Sequence, residues 1–406
     1  MLTITDVYAT LKYAMETSKV YKGRFLHVNK MFLTADGGIA FKLNTPFQNF
    51  PLLLDIPILK ASELTADRPL GTGPYYLEQT TAGMRLRRRI NWWCDADMPV
   101  NATSIPLREA ESPAQIRDSF EFFDVELVCA DPCSDSYADF RCDYELWDCE
   151  NGIFLYLGCN TNSEVFGNLK IRSALTFAID RELLVNEYYR GFARSATLPA
   201  SPLSPYYNRS LAARYEYNPD KFRQALEEQA KVGATIRLLV NKDDTLRLRT
   251  ARTIGKMLRE YGLNVTMVEL SRDKYIEALT WNNYDLYLGQ TRLSPNMDLT
   301  PFFRPNSIFR YGGMSDAAMY SLCRDALANE GNYYNLHKMV ADDGRLCPIL
   351  FQGYAVYATR GMISDLTPSR DNVFYYSLGK TMEQSNIIYV EPTEIEPPAE
   401  EETTTP

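Results

Sequence analysis

The chain has 406 residues, 45% of them hydrophobic, and this length exceeds what one hydrophobic core usually organises, so we expect two lobes or domains. Its 43 Lys and Arg residues against 52 Asp and Glu residues give a formal charge of -9. That balance argues against a nucleic-acid partner, because phosphate binding requires a basic surface.

Export and anchoring features are not visible in the sequence. No stretch approaches the roughly 18 apolar residues of a membrane span, and the first residues lack the basic and apolar regions of a signal peptide. Eight cysteines are too sparse in a chain of this length to define a disulfide scaffold. Free thiols and one or two bridges therefore remain alternatives.

The first 90 residues predict an α+β unit. A helix is expected over Ile4 to Glu16, a short strand over Gly38 to Leu43, and a strand-turn-strand between Leu77 and Ile90. Four arginines lie in that last segment, at positions 85, 87, 88 and 89, interleaved with Leu86. This pattern favours a hairpin with one solvated face over a polyanion site.

A longer helix is expected next, ending near Gly191. Its apolar face consists of Ile171, Ala174, Leu175, Ala178, Ile179 and Leu183. Residues 198–205 follow as Leu-Pro-Ala-Ser-Pro-Leu-Ser-Pro, which cannot continue a helix because of the three prolines. We interpret that segment as a surface excursion.

The clearest architecture lies between residues 234 and 292. The predicted elements are a strand at 236–240, a helix at 248–261, a strand at 263–270, a short helix at 275–279 and a strand at 284–289. Gly262 ends the first helix. This βαβαβ order predicts a largely parallel sheet with right-handed crossovers.

Ordered blocks spread over residues 4 to about 378 resemble a known family. They are Ile4-Thr5-Asp6-Val7, Phe41 to Leu53, Gly71-Thr72-Gly73-Pro74-Tyr75, Leu157 to Arg181 with Asn160-Thr161, and Cys347 to Tyr354. As a set they are similar to the family 5 extracellular solute-binding proteins, the oligopeptide, dipeptide and nickel group that serves ABC importers.

The resemblance implies an α/β, two-lobed periplasmic-binding-protein-like (type II) fold with a hinge and a ligand cleft between the lobes. It implies a remnant of the N-terminal subdomain of lobe I at 1–65, lobe I at 66–156, lobe II with a parallel sheet at 157–362, a return to lobe I at 363–391 and a disordered acidic Pro/Thr tail at 392–406. Family members begin with a signal peptide, often a lipidated cysteine, and the first strands of lobe I. We therefore expect this chain to be N-terminally truncated.

Candidate ligand-binding residues follow the predicted strands, because ligands of open parallel sheets bind at the carboxyl ends of strands. Asn241 and Lys242 follow the first strand of the βαβαβ unit, and Gln290 and Arg292 follow the third. Lys242 or Arg292 could meet a solute carboxylate, and arginine would do so with two hydrogen bonds.

The resemblance adds further candidates and one departure. Peptide-binding relatives place an Asp just after the third strand to hold the peptide amino group, where this chain has Leu293. Ser294 and Asp298 follow, so either Asp298 substitutes or the solute has no free amine. The blocks that resemble the family add Thr72, Tyr75 and Asn160 as candidates.

The expected function is capture of a peptide or peptide-like solute by lobe closure and its delivery to ABC transporter permease subunits. No catalytic residue, cofactor or metal is predicted, because no nucleophile stands beside a base and the two histidines have no ligand spacing. The protein is expected to be monomeric, without a nucleic-acid partner, and extracellular or periplasmic with a membrane tether when full-length. The alternative is the solute-sensing domain of a transcription regulator or signalling protein.

Overall fold

The computed structural model describes residues 2–133, 140–370 and 378–380, so the predicted tail at 392–406 lies outside the described residues. The helices are α1 (Ile4–Glu16), α2 (Pro113–Glu121), α3 (Leu169–Ala174), α4 (Arg181–Tyr188), α5 (Arg209–Ala212), α6 (Pro219–Glu228), α7 (Thr245–Glu260), α8 (Arg272–Thr280), α9 (Thr300–Phe303), α10 (Ala317–Ala328) and α11 (Tyr333–Asp343). The strands are β1 (Val28–Leu33), β2 (Ile39–Leu43), β3 (Tyr75–Thr80), β4 (Gly83–Arg88), β5 (Ser104–Leu107), β6 (Leu127–Ala130), β7 (Tyr144–Cys159), β8 (Ala193–Ser195), β9 (Thr235–Asn241), β10 (Asn264–Leu270), β11 (Leu286–Arg292), β12 (Leu346–Thr359), β13 (Ile363–Asp365) and β14 (Gly379–Lys380).

The N-terminal unit, residues 2–60, packs α1 against the β1–β2 hairpin. A capping box starts the helix, since the Thr3 hydroxyl accepts from the Asp6 amide and the Asp6 carboxylate accepts from the Thr3 amide. Its small core is built around Leu11, Phe25 and Phe50. The helix predicted over residues 4 to 16 is confirmed with the same bounds.

The arginine-rich segment is a strand of a three-stranded antiparallel sheet in the order β3-β4-β5. Arg85 and Arg87 on β4 both face Glu78 on β3, at 2.6 and 3.6 Å. These half-exposed ion pairs neutralise part of the basic strand, as expected for the solvated face of a hairpin. The predicted hairpin is confirmed.

The large sheet has the strand order β10-β9-β11-β7-β12-β6, with β8 added on β12. Within it β9 pairs in parallel with β10 and β11, as the βαβαβ pattern predicted. All other pairs are antiparallel, so the expectation of a largely parallel sheet is wrong. The reason is that β7 and β12 come from distant parts of the chain and enter the centre of the sheet in opposite directions.

The strands β7 and β12, called here the long strands, pair along almost their whole length. β12 pairs with β6 near its C-terminal end, at residues 355–358, and with β8 near its middle, at residues 350–352. Their register shifts between Phe351 and Gly353, where a Cβ on Gly353 would lie 2.8 Å from the Phe192 carbonyl oxygen. Irregular pairing of this kind allows a local bend in the two long strands, as at a β-bulge.

The predicted helix over residues 171 to 183 is not continuous, and that expectation is wrong. It breaks into α3, a 3-10 turn at Leu175–Ala178 and α4, with Ile179 in extended backbone between them. Asp180 then caps α4 by accepting from the Leu183 amide, which leaves Leu183 40% exposed. Apolar spacing alone could not show that Asp180 starts a new helix.

The proline-punctuated segment after β8 is not a simple surface excursion. Leu198, Ala200 and Ser201 are almost completely buried, while Leu203 is exposed. Leu198 packs with Leu211 and other residues around α5. No helix runs through these prolines, as expected, but the backbone carries the apolar side chains of the segment into the interior.

Stability is predicted to fall in acid because of His337 on α11. This residue is fully buried, and within the described part of the chain neither ring nitrogen has a hydrogen-bond partner. Burial lowers the pKa of His337 to about 3. The unfolded chain takes up a proton below a pKa of about 6.5 and the folded chain does not, so stability is complete above pH 6.5 and is lost as the pH falls toward 3.

We expect a loss of about 2 kcal/mol at this residue between pH 7 and pH 5. Urea unfolding at both pH values, compared between the wild type and His337→Phe, measures it. The variant keeps the aromatic ring without the titrating group, so its loss should be smaller by that amount. Equal losses in both proteins would contradict the prediction.

Candidate functional site

The parallel strands β9, β10 and β11 end on one edge of the large sheet, next to the middle of β7. Asn241 ends β9 and is buried, and its side-chain oxygen accepts from the Asp243 amide at 3.1 Å. Lys242 is exposed. The hydrogen bond from Arg252 lowers the pKa of Glu269 on β10, and the charge of Lys242 adds to that effect. The structure therefore brings these two predicted residues to one strand edge.

Two further predicted residues lie on β11 at the same edge. The Gln290 side-chain oxygen is buried and has no hydrogen-bond partner among the described residues. Arg292 is engaged: its Nε donates to the Asn151 carbonyl at 2.8 Å and its Nη2 donates to the Arg370 carbonyl at 3.0 Å. Arg292 thus ties β11 to the bend of β7 and to the segment after β13.

Asp298 lies in a buried polar cluster. One carboxylate oxygen accepts from His27 Nε2 at 2.8 Å and from the Thr300 hydroxyl at 2.9 Å, and the other accepts from the Thr300 amide at 2.8 Å. Both His27 and Asp298 are less than 10% exposed. Ser294, the neighbouring prediction, is half-buried. In this conformation the Asp298 carboxylate is buried and bonded within the protein, so it is not accessible to a solute.

The His27–Asp298 pair belongs to a wider contact of the N-terminal unit with α10 and its surroundings. The Gln48 amide donates to the Leu327 carbonyl at 2.8 Å, and Asn49 donates to the Tyr206 hydroxyl at 3.2 Å. Arg324 on α10 donates to Thr45 at 3.2 Å. Through these contacts the N-terminal unit covers the part of the molecule that contains Asp298.

Thr72 and Tyr75 have structural contacts in the small sheet. The Thr72 carbonyl accepts from both indole N–H groups of Trp92 and Trp93, at 2.8 and 3.0 Å. The Tyr75 hydroxyl donates to the Ala102 carbonyl at 2.9 Å, and burial raises the pKa of Tyr75 to about 12. Both residues stabilise the turn that leads into β3.

Asn160 follows the C-terminal end of β7, away from the strand edge that carries Asn241 and Arg292. Cys159 pairs with Leu286 at the start of β11, whereas Ile153 pairs with Arg292 at its end. Asn160 is therefore separated from Arg292 by about 20 Å of strand. Its amide donates to the carbonyls of Asn282 and Tyr284, at 3.2 and 2.8 Å, so it connects loops.

The bend of the long strands holds a carboxylate that the sequence analysis did not single out. Glu150 on β7 lies opposite Gly353 and accepts a hydrogen bond from the Ser201 hydroxyl. Desolvation raises the pKa of Glu150, and the charges of Arg370 and Arg194 lower it. The only hint in the sequence is a charged residue directly before Asn151-Gly152, where the apolar half of the strand begins.

Two cavities flank the segment that contains Arg194 and Pro202. A cavity of about 20 Å³ lies at the bend, lined by Asp148, Cys149, Glu150, Phe192, Arg194, Leu203, Phe351, Gln352 and Gly353. A cavity of about 500 Å³ lies beside α4 and α5, lined by Ile179, Asp180, Arg181, Glu182, Ser195, Thr197, Pro202, Tyr207, Arg209, Ala212, Ala213, Glu216 and Tyr217. None of the predicted ligand-binding residues lines either cavity.

Neither a metal cluster nor a membrane helix is found in the described residues. Over 2–133, 140–370 and 378–380, no three His, Cys, Asp or Glu side chains are placed to hold a metal ion. No helix in those ranges has the length and apolar character to cross a bilayer. Burial raises the pKa of the Cys133 thiol to about 12.

Comparison with known proteins gives one family. The family model described as "Bacterial extracellular solute-binding proteins, family 5 Middle" matches residues 1–308. The oligopeptide-binding protein AppA of Bacillus subtilis is 25% identical over 330 residues, which cover 70% of this chain and 58% of AppA. The peptide transport periplasmic protein SapA of Salmonella typhimurium is 26% identical over 283 residues, covering 66% of this chain and 50% of SapA. The chain thus spans about half the length of these curated relatives.

Solved structures share the fold. HbpA2 from Haemophilus parasuis superposes with a TM-score of 0.78 at 16% identity, covering 94% of this chain and 83% of HbpA2. AppA from Bacillus subtilis, solved with a nonapeptide, superposes with a TM-score of 0.63 at 18% identity, covering 94% of this chain and 84% of AppA. These neighbours are two-lobed solute-binding proteins, so the predicted two-lobed α/β fold is confirmed.

Proposed function

This chain belongs to the family 5 bacterial extracellular solute-binding proteins, and from that premise we propose that it captures a peptide or peptide-like solute for an ABC importer. The solute binds between the two lobes, and the closed shape docks on the permease subunits. The observation that carries the proposal is the family match over residues 1–308. The peptide class is supported by the names of AppA and SapA.

The long strands provide a physical route from binding to closure. They join the β9–β11 side of the large sheet to β6 and β8, and they change register between Phe351 and Gly353. A solute that touches both lobes stabilises the closed state by its differential affinity, and small backbone changes at such a junction are enough to move one lobe against the other. We propose this junction as the hinge.

The remaining parts of the proposal follow from the same premise. The protein acts without catalysing a reaction, as a monomer outside the cytoplasm, tethered to the membrane in its full-length form. Asn241, Lys242 and Gln290 are the predicted residues that we retain as solute contacts, because they share the strand edge beside the hinge. The relatives named above are transport and binding proteins, which favours the importer over the sensor alternative.

Thermal unfolding with pooled peptides tests the proposal. We expect a pool of peptides of two to eight residues to raise the unfolding midpoint by a few degrees, because a ligand at a hundredfold its Kd adds about 2.7 kcal/mol of stability. An equal mass of free amino acids serves as the control. A cooperative transition that no peptide pool moves would exclude peptides as the solute class.

A further inference from the structure

We propose that the cavity of about 500 Å³ beside α4 and α5, called here the lateral cavity, binds a free basic amino acid. Such a ligand has an α-carboxylate, an α-ammonium group and a cationic side chain on an aliphatic stem. The inference goes beyond the proposed function, because the strand-edge residues Asn241, Lys242 and Gln290 do not line this cavity. Binding in the lateral cavity is therefore independent of which solute binds at the strand edge.

The lateral cavity has the size and the fixed floor of a small-molecule site. Its volume falls within the range of about 300–1,000 Å³ that is usual for ligand pockets. Ile179, Arg181 and Ala212 form the buried part of its lining. All three guanidinium nitrogens of Arg181 donate to acceptors of the protein, which hold this side chain in place. The floor is thus formed before any ligand binds.

Two side chains of opposite charge line the lateral cavity without being paired. Arg209 and Glu216 are both exposed lining residues. Neither has an ion pair or a side-chain hydrogen bond with another residue of the described ranges. A zwitterion satisfies both, because its carboxylate accepts two hydrogen bonds from the guanidinium and its ammonium group donates to the glutamate.

Acidic groups exceed basic groups in the lining of the lateral cavity, with Asp180, Glu182 and Glu216 against Arg181 and Arg209. The charge of Asp180 acts on the adjacent Arg181, so this pair adds no net charge. Two carboxylates then remain against one guanidinium. Glu182 accepts a hydrogen bond from the Ser195 hydroxyl, which uses one of about four acceptor positions of its carboxylate. One net negative charge is left, and it favours a ligand with one net positive charge.

The other lining residues suit the aliphatic stem of a basic side chain. Pro202 and Ala212 offer apolar surface, and the rings of Tyr207 and Tyr217 line the same space. The Tyr217 hydroxyl lies 2.6 Å from the Tyr261 hydroxyl, and this hydrogen bond holds the ring in position. Aromatic rings also attract cations. A neutral amino acid would fill the same space but would leave the second carboxylate without a cation.

Isothermal titration calorimetry of the purified chain with L-lysine tests the proposal. We expect a Kd below about 1 mM. L-norleucine keeps the stem without the side-chain charge, and cadaverine keeps both ammonium groups without the carboxylate. Each should bind about fivefold more weakly than L-lysine, the factor expected for the loss of one exposed ion pair.

Variants of the chain test whether L-lysine binds in the lateral cavity. Arg209→Met and Glu216→Gln should each weaken L-lysine binding about fivefold, because each removes one charged contact at the rim. Ala213→Trp should abolish binding, since Ala213 lines the cavity and the indole would fill it. Arg214→Met is the matched control, because Arg214 is an exposed neighbour that does not line the cavity. It should bind L-lysine as the wild type does.

Every result supports or overturns the inference. The absence of saturable L-lysine binding overturns it, and so does equal binding of L-norleucine or cadaverine. Undiminished binding in Ala213→Trp would show that L-lysine binds elsewhere. If Ala213→Trp does not fold, undiminished binding in both Arg209→Met and Glu216→Gln overturns the site. The peptide pool tests the proposed function separately, because peptides bound at the strand edge should still stabilise Arg209→Met.

Discussion

Replacing Arg181 with methionine is expected to lower the free energy of unfolding by about 3–5 kcal/mol, the largest single-residue effect we predict. Arg181 is 3% exposed, and its guanidinium donates to the carbonyls of Ala196 and Pro348 at 3.1 and 2.9 Å. It also donates to the Thr176 and Ile179 carbonyls at the break between α3 and α4.

The loss arises because methionine fills the space but donates no hydrogen bond. Several buried carbonyl oxygens would then lack a partner, and each such group costs about 1–3 kcal/mol. Arg209→Met is the control, since Arg209 is an exposed residue of the same region and should lose less than about 0.5 kcal/mol. Urea unfolding measures both variants, and similar midpoints for the two would contradict this account.

Replacing Gly289 with valine is expected to lower the free energy of unfolding by about 3 kcal/mol, at the upper end of the usual range for overpacking. Gly289 on β11 lies opposite Tyr156 on β7, and a Cβ at Gly289 would lie 2.6 Å from the Tyr156 hydroxyl oxygen. The next pair on the same face, two positions away, has the reverse arrangement, with Tyr287 over Gly158. Two buried rings therefore occupy the space of two missing side chains.

The double variant Gly289→Val with Tyr156→Ala distinguishes this cause from a general effect on the strand. Removing the ring makes room for the valine. The free energy of unfolding lost in the double variant should therefore be smaller than the sum of the losses in Gly289→Val and Tyr156→Ala. Urea unfolding of the single and double variants supplies the cycle. Full additivity would show that contact with Tyr156 is not the cause.

Local pattern predicted most of the elements correctly. The alternation before Asn241, the helical stripe that follows and the stop at Gly262 correspond to β9, α7 and β10. Helix α1 and the β3–β4 hairpin were predicted for the same reason. In each case the residues that decide the element lie within about a dozen positions of one another, so periodicity and capping are sufficient.

The candidate site was predicted only in part. Asn241, Lys242 and Gln290 share one strand edge because β9 and β11 are parallel, and the βαβαβ order predicts that. Asn160 lies away from that edge because antiparallel pairing places its neighbour Cys159 opposite the start of β11. The direction of pairing between distant strands is not encoded in the periodicity of either strand.

By itself the sequence determined the family, the α/β class and the local elements, because these depend on short-range patterns and on ordered blocks of residues. Only the tertiary structure decided that β7 and β12 cross the sheet antiparallel, that His27 closes over Asp298, and that Glu150 meets Ser201 at the hinge. These contacts join residues 51 to 271 positions apart. Their formation depends on how the packed elements fit together, which no local pattern specifies.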